Sequence, residues 1–307
     1  MKKEENKLVK EVIEDFNKRA MARKSFDNIW KMNMNFLMGN QFCSVGYNGV
    51  EESEKQFFWQ EREVFNHIAP IFDIRYSKLS NNLPDISIIP ASSDEKDKNS
   101  AKVCKKIYQS LKEKLNINAL TNKAIKWAEV CGTVFYKIGW NNFKGAVVGK
   151  DDKGREIRSG EVEVSVVSPF EIYPDSSVAE SLDECQSIIH AKAYKTSQIK
   201  SMYGIEVEGR TVNTFSLDSI TESIGGLGYN GTAPKIIESR KSDSAIVIER
   251  YSRPSVDYPE GRLTIVAGDR LVYDGALPYK LGADGERDFP FIRQTCTEEP
   301  GCFWGTS

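Results

Sequence analysis

Apolar residues at four-residue steps, Leu8, Val12, Phe16 and Ala20, predict a helix over the first forty positions. Ile29, Trp30, Phe36 and Leu37 extend its apolar face, and Gly39-Asn40 ends it. A polar, aromatic loop occupies 46–59. Asn66 is placed to cap a second helix, with Pro70 in its first turn, where a missing backbone donor costs little. Ile68, Ile71, Phe72, Tyr76 and Leu79 form the stripe this helix is expected to bury. Asn81-Asn82-Leu83-Pro84 breaks it, and 86–89 reads as a short strand ended by Pro90. Ser92-x-x-Glu95 matches a capping box opening a third helix, in which Val103, Ile107, Leu111 and Leu115 recur every four residues. A fourth helix runs from Asn118 through Ala124, Trp127 and Val130 and stops at Gly132.

Beyond Gly132 the period changes from helical to strand-like. Strands are predicted at 134–140 and 146–148, a turn at Asp151-Asp152-Lys153-Gly154, and an alternating strand with one wet face at 161–167. Two prolines in 168–175 suit an edge strand or one leaving a sheet. A strand at 187–193 precedes a short helix capped by Thr196 and ended by Tyr203-Gly204. Positions 206–244 lose apolar periodicity and read as an exposed, mobile insertion. Strands resume at 245–251, 262–267 and 270–273, the last two joined by Gly268-Asp269 as a hairpin, with one more at 289–295. The expected fold class is α+β, N-terminal helices followed by a mainly antiparallel β-rich region. The divisions fall at 1–132 (helical), 133–204 (β-rich with a short helix), 205–244 (insertion) and 245–307 (hairpin region).

With 307 residues, 40% hydrophobic and 28% charged, the chain can form one large domain or two ordinary ones, which excludes general disorder. Its formal net charge of −2 removes any global drive toward phosphate or anionic lipid and excludes a nonspecific DNA coat. Charge is unevenly spread: 94–126 holds nine lysines against four acids, whereas 1–31 mixes nine basic with six acidic side chains. No apolar run is long enough to cross a bilayer and the charged opening lacks a secretion h-region, so a cytosolic or particle-bound protein is expected, without a membrane partner. The six cysteines, at 43, 104, 131, 185, 296 and 302, show no Cys-x-x-Cys pair and are expected to be buried free thiols.

Catalytic chemistry finds little footing. Gly226-x-Gly228-x-x-Gly231 matches the dinucleotide fingerprint formally, but no apolar strand precedes it and Thr232-Ala233-Pro234 is a poor helix start. There is no Gly-x-x-x-x-Gly-Lys-Ser/Thr phosphate loop. His67 and His190 are the only histidines, and both read as structural. Asp151-Asp152 reads as a solvated turn rather than a cation site, and Asn230-Gly-Thr232 is a glycosylation acceptor only in a secreted chain. The expectation is therefore no catalytic residue, no cofactor and no metal.

Several segments, in order, resemble the portal (head-to-tail connector) proteins of tailed bacteriophages. They are 36–42 (FLMGNQF), 66–71 (NHIAPI) with Leu83-Pro84, 88–91 (IIPA) leading into the lysine-rich helix, and 128–140 (AEVCGTVFYKIGW). They continue with 166–175 (VVSPFEIYPD), 290–293 (PFIR) and 301–307 (GCFWGTS). The motif positions are Gly39, Asn66, Pro70, Pro84, Gly132, Pro169, Phe170, Pro174, Asp175, Gly301 and Gly305; Phe42 departs, standing where relatives often carry Trp. The resemblance implies the peripheral wing of a non-enzymatic subunit that forms a ring, usually of twelve copies, at one capsid vertex. It implies double-stranded DNA passing through the complete ring, contacts with capsid and scaffolding proteins, the terminase and a tail adaptor, and a place in the virion after assembly in the host cytoplasm. In that family the aromatic and glycine cluster precedes a stem helix, clip and crown, so 303–307 reads as an interruption, with Trp304 expected to be exposed and the end frayed. A closed ring needs two different patches that meet on neighbouring copies. Lys102, Lys105, Lys106, Lys112 and Lys126 are the candidates for one, and the acids of the N-terminal stretch for the other. The alternative is a nucleic-acid-binding adaptor that uses the lysine-rich helices at 94–130.

Overall fold

The computed structural model describes residues 2–46, 49–52, 64–83, 85–150, 154, 156–214, 217, 240–280, 285 and 287–307. The glycine fingerprint at 226–231, the acceptor at Asn230, the Asp151-Asp152 pair and Pro84 lie outside the described residues. Helices α1 (Lys2–Leu37), α2 (Ile68–Asn81), α3 (Glu95–Lys114) and α4 (Ile117–Cys131) come first, with the hairpin β1 (Cys43–Gly46) and β2 (Gly49–Glu52) between α1 and α2. Next are β3 (Thr133–Asn141), β4 (Val147–Lys150), β5 (Glu156–Arg158), β6 (Glu161–Val167), a 3-10 turn (Pro169–Glu171), β7 (Ile172–Pro174), β8 (Ser187–Lys195) and α5 (Thr196–Tyr203). The chain continues through β9 (Arg210–Asn213), β10 (Arg240–Ser252), β11 (Arg262–Ala267), β12 (Arg270–Gly275) and β13 (Phe291–Thr295).

A six-stranded antiparallel sheet has the order β12-β11-β10-β8-β7, with β9 beside the start of β10. The proline-bearing β7 is an edge, as a strand without a full set of donors must be. A second sheet, β13-β3-β6, is also antiparallel. Alternation along the strands builds the layers. Ile189 and Ala191 of β8 pack with Val9, Val12 and Phe16 of α1 on one face of the large sheet. Ile188 and Tyr251 point the other way and share a core with Phe135, Val167 and Phe291 of the small sheet. On the outer face of the small sheet, Val134 and Val166 pack under Ala124 and Ala128 of α4. The molecule is therefore an α+β body layered as helix, sheet, sheet, helix. The wet face expected of 161–167 ends at Val166 and Val167, which are both buried because β6 is covered on both sides there.

Several expectations fail for identifiable reasons. No strand forms at 86–89, where Ile86 and Ile89 are exposed and have no neighbouring strand to pair with. The capping box is displaced: Asp94 is the N-cap of α3, and Ser92 instead accepts from the Asp94 N–H and donates to Asp97. Thr196 is the first residue of α5 rather than its cap, its hydroxyl being drawn to Asp243 at 2.8 Å. The expected insertion is sheet at both ends, since β9 and the first residues of β10 pair with each other inside it; 215, 216 and 218–239 lie outside the described residues. Cys43, Cys131 and Cys185 are buried free thiols, but Cys104 is exposed on α3, and Cys296 and Cys302 are half-buried.

Candidate assembly surface and the joint beneath it

Helix α1 carries Phe16 and Trp30 in its buried stripe, and Arg23, seven residues from each, falls in the same register. A guanidinium there must be paired or it destabilises the fold. Its Nε donates to Asp27 at 2.8 Å, its Nη1 to Pro169 O at 2.8 Å and to Ile172 O, and its Nη2 to Phe170 O at 3.0 Å. It also stacks 3.7 Å from the Tyr173 ring centroid. The Pro169–Phe170 motif is therefore held through its carbonyls by one arginine of α1. Sequence reasoning passed over Arg23 and Asp27; the available signal was an i, i+4 charge pair standing in apolar register. Ile29, placed on that stripe by the sequence, is exposed instead.

The C-terminal cluster closes on the same joint. Trp304 is 2% exposed and meets Trp30 edge-on at 4.9 Å, with Phe135 and Phe26 beside it, so the expected exposure of this cluster is overturned. The indole is enclosed because its partners lie on α1 and β3, far away in sequence. Gly305 N–H donates to Thr133 Oγ1 at 2.8 Å, and Cys296 N–H to Gly132 O at 2.8 Å. Gly132 ends α4 with φ +77°, and a Cβ added there would stand 2.0 Å from Gly305 O. Gly132→Ala should therefore lower the unfolding free energy by about 3 kcal/mol or more, since left-handed strain and a backbone clash add; thermal melts of the variant check this, and a wild-type melting temperature contradicts it.

The other motif positions are local fasteners. Asn66 Oδ1 accepts from Ile68 and Ala69 N–H at 3.1 and 3.2 Å, and its Nδ2 donates to Leu37 O at 2.9 Å. It thus engages the first free N–H groups of α2 from one residue before the N-cap, His67, and ties that helix to the end of α1. Gly39, at φ +92°, passes close to the Asn66 amide, and Pro70 sits exposed in the first turn. Asp175 Oδ2 accepts from Gln186 and Ser187 N–H at 3.0 and 3.1 Å, next to buried Pro174. Gly301, at φ +70°, donates to Glu180 at 2.7 Å.

Between the two sheets lies an ionic network. Lys137 shares the inward face of β3 with Phe135, and it meets Glu249 of β10 together with His190 of β8. Glu249 Oε2 stands 2.9 Å from His190 Nδ1 and accepts from Tyr251 OH at 2.9 Å. On the far side of the ring, His190 Nε2 is 3.6 Å from Glu171 Oε2, which also accepts from Lys192 at 3.3 Å. Burial alone would raise the Glu249 carboxyl, but the Lys137 ammonium and His190 outweigh it and hold it well below its ordinary value. The same opposition lowers Glu171, and burial beside Glu249 pushes the Tyr251 phenol well up. The network binds sheet to sheet through charge. His190 is 5% exposed within it, whereas His67 is exposed just before α2. Among the described residues no group of three or more His, Cys, Asp or Glu is disposed to hold a metal ion.

The outer surface of the helices differs from what their apolar periodicity predicts. Ile68, Ile71 and Leu79 of α2 are exposed and Phe72 and Tyr76 only half-buried, because α4 and α1 reach one flank of the helix alone. Helix α3 buries none of its residues, although Val103, Ile107 and Leu111 repeat along it. Lys102 and Lys105 are exposed on the side of the helix opposite that stripe, with exposed Lys106 at its flank. Lys112 and Lys126 do not belong with them: Lys112 pairs with Asp85 at 3.0 Å, and Lys126 lies 4.9 Å over the Tyr76 ring. The acids of α1 expected to form the opposite patch are partly used inside, Glu11 on Arg250, Asp15 on Arg19 and Asp27 on Arg23. Neither a protein-family model nor a curated protein matches the chain.

Proposed function

We propose that the chain is the wing portion of a phage portal subunit, one of several copies in a ring at the capsid vertex that serves genome packaging, ejection and head-tail joining. The observation that carries this reading is the meeting of residues singled out by the resemblance alone. Pro169, Phe170, Gly132 and Gly305 are spread over much of the chain, yet they converge on the joint that Arg23 and Trp304 complete. The order of the motifs and the outward amphipathic helices support the same reading. In it the subunit acts by shape and contact, without chemistry of its own. Its partners are further copies, capsid and scaffolding proteins, the terminase and a tail adaptor. The near-zero net charge suits a body beside DNA that has to slide, since each neutralised phosphate would add to the barrier.

A nucleic-acid-binding adaptor is the second reading, favoured by the outward Lys102, Lys105 and Lys106. Reading the source gene past codon 307 separates the two. The portal reading expects a long amphipathic helix, a compact β-containing insertion and a second long helix; a stop codon there, with steeply salt-dependent duplex binding by the chain, favours the adaptor.

A further inference from the structure

We draw no further inference here: the strongest candidate, the apolar stretch of the small sheet's outer face that α4 leaves open, shared by Ile138 and Trp140 of β3 with Val162 of β6 and Ile292 of β13, is exposed, and nothing in the structure shows what covers it.

Discussion

Trp304→Ala is expected to lower the unfolding free energy by about 3–5 kcal/mol, the cost of emptying a large aromatic site in a packed core. The site is large because several rings meet on one indole. Trp30 and Phe26 come from α1, Phe135 from β3 and Phe303 from the same terminal segment, and Phe170, from the turn that Arg23 clamps, packs behind them on Trp30. The rings stand on regular elements and a clamped turn, so the surroundings relax only partly into the space left. Urea unfolding followed by far-ultraviolet circular dichroism measures the loss. An unchanged midpoint would mean that residues 303–307 do not hold the core. Because domains are stable by only about 5–15 kcal/mol, this loss is a large fraction of the total.

The second large effect lies between the sheets. Glu249→Gln removes the charge that neutralises Lys137 and leaves the ammonium among Phe135, Phe291 and Tyr251, at an expected cost of about 3–5 kcal/mol at neutral pH. Lys137→Met with Glu249→Leu removes both charges and should recover most of that loss, because an apolar pair of similar volume needs no desolvated partner. The pH dependence has a definite sign. The folded carboxyl sits below the ordinary value of 4.5, to which it returns on unfolding. Its contribution is complete above that pH and is lost as pH falls through the lower folded value. The stability gap between wild type and Glu249→Gln should therefore narrow below pH 4.5, which urea titrations at a series of pH values would show. A gap that widens on acidification would contradict the assignment.

Periodicity made α1, α4, β3, β8 and the β11–β12 hairpin legible, since each buries one face against a neighbour and the side-chain repeat records that face. It misled at α2 and α3. A four-residue apolar repeat states that a face needs covering and says nothing about whether the cover belongs to the same chain. The strand expected at 86–89 failed for the converse reason, a strand being defined by its pairing partner rather than its own residues. Arg23 and Lys137 were hidden because the carbonyls of 169–172 and Glu249 that engage them lie across the fold, although each stands in apolar register and so signals a buried charge. The lysine surface was legible as composition, but only the fold separated exposed Lys102, Lys105 and Lys106 from Lys112 and Lys126, which engage Asp85 and the Tyr76 ring at the surface.

The most direct measurement is electron microscopy of the protein expressed from its whole reading frame. The portal account predicts closed rings with an axial channel and this α+β body at their periphery. Monomers, or open chains that never close, at micromolar concentration would contradict it.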